Sequence, residues 1–172
     1  ENPKVFVPQQ FTNMNNIKAH KNHTALEIME QVAGPIHGFC SGIGTGGTIT
    51  GIGEVLKAQY PEIEIWAVEP ENAAILSGGT VGTHYQMGIG DGIIPDILNQ
   101  SIYNDIYVVT DEEAIDISKR LAREEGLMCG ISSGTNVAAA IQLAKKLGKG
   151  KTVVTVLPDT AERYFSTTLF DD

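Results

Sequence analysis

The sequence predicts an α/β fold in which a parallel twisted sheet carries helices on both faces. Short runs of β-branched and aromatic residues alternate with longer segments of helical period, and this order is typical of parallel sheets because each crossover needs a helix. A glycine-rich loop also stands between a strand-like run and the helix that follows it. The length of 172 residues suits one domain with a sizeable core.

The first elements are the least regular. Residues 5–7 form a short β-like run, and residues 9–23 are polar and rich in Asn, which predicts a loop or a covering segment. Thr24 and Glu27 have the spacing of a capping box, in which each side chain satisfies a free backbone N–H of the first turn. We therefore expect a helix from Thr24 to about Val32.

The later elements follow from the apolar period and from start and stop signals. We expect strands at 36–40, 63–68, 105–109 and 152–157, and helices at 48–59 and 133–147. A further helix is capped by Thr110 with Glu113 and ends at about Glu125, where Gly126 is a natural C-terminal cap. Residues 69–104 show no regular period and contain six glycines, which indicates loops.

The composition argues against several classes of protein. The chain has 21 acidic and 12 basic residues and a formal net charge of −9, whereas nucleic-acid binders need clustered Lys and Arg. No apolar run approaches the ~20 residues of a membrane span. Two cysteines are too few for a disulfide framework, so we expect a reducing cytoplasm. The 19 glycines are about 11% of the chain, against a typical ~7%, and they are bunched.

The strongest local signal is the loop of residues 41–48, Ser-Gly-Ile-Gly-Thr-Gly-Gly-Thr. Its glycines let the backbone approach a ligand, and the N-terminus of the next helix favours an anion. Thr45 and Thr48 add hydroxyl donors, so the loop predicts a phosphate cradle. It lacks the Gly-Lys-Ser/Thr of a nucleotide P-loop. Two alternatives stay open: a dinucleotide site with Glu69 as the acidic partner, and a tight turn that binds nothing.

Four weaker signals accompany this loop. Residues 130–134, Gly-Ile-Ser-Ser-Gly, precede a helix and read as a helix cap or as part of a site. Residues 87–92 form a glycine-rich loop that could close over a ligand. Residues 157–160 follow the last strand, so we expect them to face the same crevice as the first loop. His20 and His23 have a spacing that could suggest a metal, but no further ligands stand nearby, so no metal is expected.

Four motifs, in the same order, resemble the cysteine synthase family. These O-acetylserine sulfhydrylases are fold type II pyridoxal-phosphate enzymes. The motifs are Ser-Gly-Ile-Gly-Thr-Gly-Gly-Thr-Ile-Thr-Gly at 41–51, Gly-Ile-Gly-Asp-Gly-Ile-Ile-Pro at 88–95, Gly-Ile-Ser-Ser-Gly at 130–134 and Glu-Arg-Tyr-Phe-Ser-Thr at 162–167. The resemblance covers essentially the whole chain.

The resemblance implies roles for particular residues. The residues that match the loop for the phosphate of pyridoxal 5'-phosphate are Gly44, Thr45, Gly46, Gly47 and Thr48. Ser132 matches the serine that hydrogen-bonds the pyridine nitrogen; a neutral serine does not force that nitrogen to be protonated, which suits β-elimination and replacement. Gly88, Ile89 and Gly90 match a segment beside the substrate.

The resemblance also implies a reaction and partners. In this family O-acetyl-L-serine and sulfide become L-cysteine and acetate, in a homodimer that binds the C-terminal tail of serine acetyltransferase. A cystathionine β-synthase, which uses homocysteine as the second substrate, shares every motif above. A third reading is a non-catalytic binding domain for an acetyltransferase tail.

The chain departs from the family pattern in its catalytic segments. The Schiff-base lysine motif, Ser-x-Lys-Asp/Asn-Arg, and the substrate-carboxylate loop are both missing, so no catalytic residue is assigned here. The resemblance is therefore to the C-terminal portion of the enzyme. We expect residues 1–23 to be a connecting segment and residues 24–172 a phosphate-binding domain, an incomplete large domain. The isolated chain should be inactive, because that lysine is covalent anchor and base.

Overall fold

A four-stranded, wholly parallel sheet forms the centre of the protein in a computed structural model that describes residues 4–170. The strands are β1 (Gly38–Gly42), β2 (Glu64–Pro70), β3 (Asp105–Val109) and β4 (Val153–Val154), and their order across the sheet is β3-β2-β1-β4. The expectation of a parallel sheet is confirmed. The outermost residues of the expected connecting segment and domain, 1–3 and 171–172, lie outside the described range.

Five α-helices surround this sheet in the described part of the chain. They are α1 (Asn15–Ala19), α2 (Ala25–Gln31), α3 (Gly47–Gln59), α4 (Asp111–Glu125) and α5 (Ile131–Leu147). A π-helical turn, His20–Thr24, joins α1 to α2, and short 3-10 turns lie at Glu71–Ala73, Ala161–Tyr164 and Thr168–Phe170. Over residues 4–170, none of these helices has the length and apolar character needed to cross a bilayer.

The core has two halves because successive strand residues point to opposite faces of the sheet. Phe39 and Ile65 pack on one face with buried residues of α2 and α3. Cys40 and Trp66, one position further along each strand, pack on the other face with buried residues of α4 and α5. The prediction of helices on both faces is therefore confirmed.

The first helical segment begins at Asn15, so the predicted start at Thr24 is wrong. Thr24 has helical backbone angles and makes no capping bond; its hydroxyl instead lies 3.1 Å from Nδ1 of His20. Ile17 is the only buried residue of the first two turns, 15–24. A helix with so narrow an apolar stripe gives no periodic signal, which explains the error.

Two predicted strands also differ from the structure. Residues 5–7 form no strand; their side chains are 57–87% exposed and no described strand lies beside them. The last strand, β4, has two residues instead of the six predicted at 152–157. Beyond Val154 side chains take the place of the ladder, because the hydroxyl of Thr155 donates to the carbonyl of Cys40 at 2.8 Å.

The strand ahead of the glycine-rich loop, β1, lies two residues further along the chain than the predicted 36–40. Ser41 and Gly42 continue its pairing with β2, opposite Ala67 and Val68. The strand therefore runs directly into the loop, and the loop begins at the carboxyl edge of the sheet.

Candidate functional site

A cavity of about 740 Å³ lies beyond the carboxyl ends of β1 and β4, the edge at which parallel sheets bind ligands. The expected site residues that line it are Gly44, Thr45, Gly46, Thr48, Gly88, Ile89 and Ser132. Gly47 and Gly90 adjoin lining residues in the chain without lining the cavity themselves. Residues 157–159 also line it, so the expected meeting of this segment with the first loop is confirmed.

The glycine-rich loop holds unpaired backbone donors beside this cavity. Within residues 4–170, the N–H groups of Gly44, Thr45 and Gly46 donate to no protein acceptor. Gly46 is the N-cap of α3 and has a φ of 80°, a conformation that glycine adopts without strain. Buried or partly buried N–H groups need an acceptor, and the start of a helix favours a negative one. The loop therefore has the properties of an anion cradle.

The hydroxyl of Thr45 is held in place from the first helical segment. It accepts a hydrogen bond from Nδ2 of Asn16 at 2.9 Å, and the same amide donates to the carbonyl of Gln10 at 3.0 Å. A Cβ atom on Gly47 would collide with the Asn16 side chain, so glycine is needed there for the close approach. Because Thr45 accepts from Asn16, its own hydrogen is free to be donated to a ligand.

Residues 87–92 pack directly on the cradle. The N–H of Gly90 donates to the carbonyl of Ile43 at 2.9 Å, and a Cβ atom on Gly44 would collide with the carbonyl oxygen of Gly88. Ile89 is buried, with only 7% of its surface exposed. The loop that the sequence suggested as a closing element thus already forms one wall of the cavity.

The first turn of α5 brings Ser132 to the cavity wall. The helix begins at Ile131, directly before Ser132, and Gly130 is its N-cap. The interpretation of the serines as capping residues is therefore wrong. Ser132 is 3% exposed and lines the cavity, and its hydroxyl makes no hydrogen bond to any described residue. This hydroxyl is therefore available to a ligand.

Backbone pairing between residues 129–130 and 159–160 holds the start of α5 in place. Cys129 pairs with Thr160 in an isolated antiparallel bridge, and the N–H of Gly130 donates to the carbonyl of Asp159 at 3.2 Å. The Asp159 carboxylate accepts from the hydroxyl of Tyr164 at 2.6 Å. Burial and this carboxylate raise the pKa of Tyr164, so the hydroxyl stays protonated as a donor.

Asn136, which was not expected from the sequence, lines the same cavity and is 1% exposed. Its Oδ1 accepts from the N–H of Gly42 at 2.7 Å, and its Nδ2 donates to the carbonyl of Val156 at 2.8 Å. One side chain thus joins the ends of β1 and β4. A signal was present, because Asn136 stands four residues after Ser132 and hence on the same helical face.

Glu69 is unavailable to a dinucleotide, contrary to one alternative that the sequence left open. It is 3% exposed, and its carboxylate accepts from the N–H groups of Leu76 and Ser77 at 2.9 Å and from the hydroxyl of Ser77. Its function is to anchor the loop after β2. The dinucleotide interpretation is wrong, because the Glu69 carboxylate that would bind the ribose already accepts three hydrogen bonds within the protein.

Four further side chains on the cavity wall were not expected from the sequence: Gln10, His20, Thr24 and Arg163. His20 and Thr24 belong to the π-helical turn, which has no simple sequence signature. Desolvation lowers the pKa of His20. Within residues 4–170 no group of three potential metal ligands exists, and the two ring nitrogens of His20 face threonine hydroxyls.

A family model described as "Pyridoxal-phosphate dependent enzyme" matches residues 1–159. The chain belongs to this family. Membership implies pyridoxal phosphate as the cofactor, and the sheet with its flanking helices is that of the fold type II enzymes. The resemblance found in the sequence is confirmed.

Individual relatives place the chain more closely. Cysteine synthase from Staphylococcus aureus strain Mu50 is 53% identical over 170 residues, which are 97% of this chain and 55% of the relative. The structure of cysteine synthase from Entamoeba histolytica superposes with a TM-score of 0.94 at 39% identity, over 99% of this chain and 50% of the other. The O-acetylserine-dependent cystathionine β-synthase from Helicobacter pylori gives 0.93 at 36% identity, over 98% and 55%. The chain spans about half the length of the curated relatives it matches.

The residues of the cavity fit pyridoxal phosphate. Three unpaired N–H groups and the Thr45 hydroxyl suit a phosphate, and the free hydroxyl of Ser132 suits a ring nitrogen. The cavity volume of about 740 Å³ lies within the range of small-molecule sites. The described lining includes no lysine, so a covalent anchor is missing from this wall.

Proposed function

We propose that the chain supplies the phosphate-binding half of a cysteine synthase, which converts O-acetyl-L-serine and sulfide into L-cysteine and acetate. One observation carries the proposal: the unpaired N–H groups of residues 44–46 and the free hydroxyl of Ser132 share one cavity in a chain of the pyridoxal-phosphate family. The 53% identity to a cysteine synthase supports the choice of substrates.

In this proposal each segment has a separate task. The loop of residues 44–48 binds the phosphate with N–H groups and the hydroxyls of Thr45 and Thr48. Ser132 donates to or accepts from the ring nitrogen, and residues 88–90 form the wall beside the substrate. The cofactor, when bound, supplies an electron sink. Acetate then leaves with the electrons of the Cβ–O bond, and hydrosulfide supplies the pair for the new Cβ–S bond.

The chain on its own should bind ligand without turning it over. No lysine lines the described cavity, and the chain covers 55% of the S. aureus relative. These two facts support a C-terminal portion in which residues 24–172 are the phosphate-binding domain and residues 1–23 connect it to an upstream half. The missing half would bring the lysine that anchors the cofactor and transfers the substrate proton.

A chimera tests the proposal. The segment of the S. aureus cysteine synthase that precedes the matched region is joined to residues 1–172, and cysteine formation is measured with O-acetylserine and sulfide. We expect visible cofactor absorbance and sulfide-dependent turnover in the chimera, and neither in the isolated chain. A folded chimera that takes up the cofactor but forms no cysteine would show that the proposal is wrong.

Two adjacent serines provide a matched pair of variants in that chimera. Ser132→Ala removes the hydroxyl that faces the cavity, and the loss of one hydrogen bond should weaken cofactor binding about three- to tenfold. Ser133→Ala removes a buried hydroxyl that makes no hydrogen bond of ordinary geometry, and should leave binding unchanged. Equal effects of the two changes would contradict the assignment of Ser132.

A second candidate keeps the same first substrate and changes the thiol. It is favoured by the close superposition on an O-acetylserine-dependent cystathionine β-synthase, at a TM-score of 0.93. In the chimera, homocysteine and sulfide are compared at equal concentration. Faster formation of cystathionine than of cysteine would decide for this alternative.

The partners belong to the same proposal. We infer a homodimer, tested by sedimentation of the chimera, and a cytoplasmic location, which the two free buried cysteines support. The tail of a serine acetyltransferase is a candidate occupant of the open cavity. Calorimetric titration with a tail peptide tests this. The absence of binding heat would exclude the acetyltransferase tail as a partner, and it would also exclude the alternative of a non-catalytic domain that binds this tail.

A further inference from the structure

The π-helical turn His20–Thr24 places an imidazole between two hydroxyls on the cavity wall. Nδ1 of His20 lies 3.1 Å from Oγ1 of Thr24, and Nε2 lies 3.2 Å from Oγ1 of Thr48, in the first turn of α3. Both threonines line the cavity with His20. Turns of this wide type recur at functional sites, because they redirect side chains that an α-helix would point elsewhere.

The position of His20 is fixed by its packing on α3. A Cβ atom on Gly51 would stand 2.6 Å from Cβ of His20 and 2.7 Å from the carbonyl oxygen of Ile17. Only a glycine therefore allows the two helical segments to lie this close. This packing fixes the backbone and Cβ of His20 against α3, and the two threonine contacts orient its ring.

Whether Nε2 of His20 carries a hydrogen determines whether the Thr48 hydroxyl donates to the ring or to a ligand. A neutral imidazole has one N–H and one acceptor nitrogen. If Nε2 is the acceptor, the hydrogen of Thr48 is given to the ring and is lost to a ligand. If Nε2 carries a hydrogen, Thr48 accepts from the ring and its own hydrogen is free. Burial favours the neutral ring in the absence of an anion.

We propose that His20 is a positioning residue of the phosphate cradle, which turns the Thr48 hydroxyl toward a bound phosphate and takes up a proton as the dianion binds. The inference rests on the proposed function, because it assigns the cradle to a phosphate. The loop of residues 41–48 contains no Lys or Arg, and a protonated His20 would place a positive charge within 3.2 Å of the Thr48 hydroxyl. An anion at Thr48 favours the charged ring over the neutral one.

Several charged groups lie near His20, but the described polar contacts of its ring are with two threonine hydroxyls. From α3, Glu54 faces the same side but its carboxylate is paired with Nζ of Lys21 at 2.6 Å. Asp91, Asp159 and Arg163 line the same cavity, and Asp91 lies beside Gly44 of the glycine-rich loop. The polar groups in direct contact with the ring, on its own turn and on α3, are Thr24 and Thr48.

Sulfate is the probe, because it is a tetrahedral dianion that does not itself titrate near neutral pH. Its binding to the 172-residue chain is measured by calorimetry in two buffers of different ionisation enthalpy, and the difference gives the protons taken up. We expect uptake of a fraction of a proton in the wild type and essentially none in His20→Gln. Affinity should rise as pH falls, by about tenfold for each unit by which the bound anion raises the pKa of His20.

His23→Gln is the matched control, because His23 is exposed and lies one turn away on the same segment. The His23→Gln variant should take up as many protons on sulfate binding as the wild type does. Competition by pyridoxal 5'-phosphate should release the sulfate, while pyridoxal without phosphate should not.

The possible outcomes separate the two proposals. If neither sulfate nor pyridoxal 5'-phosphate binds the wild type, the phosphate cradle and the role of His20 both fail. If sulfate binds but uptake is absent, or is retained in His20→Gln, the role of His20 is overturned and the cradle stands. Should His20→Gln fail to fold, ¹⁵N chemical shifts of His20 in the wild type decide, since saturation with sulfate must convert a neutral ring to a protonated one.

Discussion

The substitution Gly51→Ala sets two calculable effects against each other. Alanine is preferred to glycine inside a helix by about 1 kcal/mol, which would stabilise α3. The new Cβ atom would lie 2.6 Å from Cβ of His20, about 0.8 Å short of the 3.4 Å at which ordinary contact begins. Overpacking of this kind costs about 1–3 kcal/mol, so after the gain in helix propensity we expect a net loss of about 0–2 kcal/mol.

The same displacement of His20 should also weaken anion binding, an effect that a change in stability alone would not produce. Moving His20 by about 0.8 Å would lengthen its 3.2 Å contact with Thr48 beyond hydrogen-bond distance. Gly53→Ala, two residues further along α3, is the matched control. Its Cβ would meet side-chain atoms of Ile102 and Ile65 and no backbone, on the side away from His20.

Urea unfolding and sulfate titration of the two variants measure both effects. We expect Gly51→Ala to bind sulfate at least threefold more weakly than the wild type, in line with the loss of one hydrogen bond. Gly53→Ala should keep the wild-type affinity, whatever its stability. Wild-type stability together with wild-type affinity in Gly51→Ala would refute the reasoning that Gly51 sets the distance between the two helical segments.

Three further predictions concern other parts of the chain. Asn136→Leu leaves two backbone groups without partners, so the free energy of unfolding from urea titration should fall by about 2–4 kcal/mol; an unchanged value would mean that the two strand ends close without it. The hydrogen bond from Lys146 holds the pKa of Glu64 below its usual value, so its contribution is present at neutral pH and is lost as pH falls through that lowered pKa. Lys146→Met should flatten the acid limb of stability against pH, and an identical limb would contradict this. Burial raises the pKa of Cys40 to about 12 and also raises that of Cys129, so both thiols should react with a disulfide reagent only after unfolding; rapid reaction of the native chain would show that the packing is looser.

Local signals in the sequence predicted the middle of the chain well. The strand at 105–109 is found to the residue, and the next helix ends at Glu125 as predicted. The hydroxyl of Thr110 accepts from the N–H of Glu113 at 3.1 Å, and Gly126 has the expected left-handed conformation. These features depend on contacts within a few residues, so the sequence is sufficient to predict them.

The parts that escaped prediction depend on contacts between distant segments. The helix that starts at Asn15 exists because it packs on α3, where Gly51 makes room for it. The 36–40 strand was displaced because β2 offers partners to Ser41 and Gly42. No window of local sequence contains such partners, so propensity alone could not find these bounds.

Composition predicts that the glycine-rich loop is a phosphate cradle, but it does not predict the side chains that support the loop. Asn16 lies 29 positions from the Thr45 that it holds, and His20 lies 28 positions from Thr48. Composition shows where a backbone can approach a ligand. It does not show which distant side chain sets the direction of each hydroxyl.

The early parting of β1 and β4 has a consequence for redesign. Within residues 4–170, the hydrogen bonds that join the two strands beyond their two paired residues come from the Thr155 hydroxyl and the Asn136 amide. Side chains can be lengthened or shortened one atom group at a time, whereas backbone ladders cannot. The width of this opening is therefore adjustable at two positions while the pairing of β1 with β2 is kept, so a larger ligand could be accommodated here by redesign.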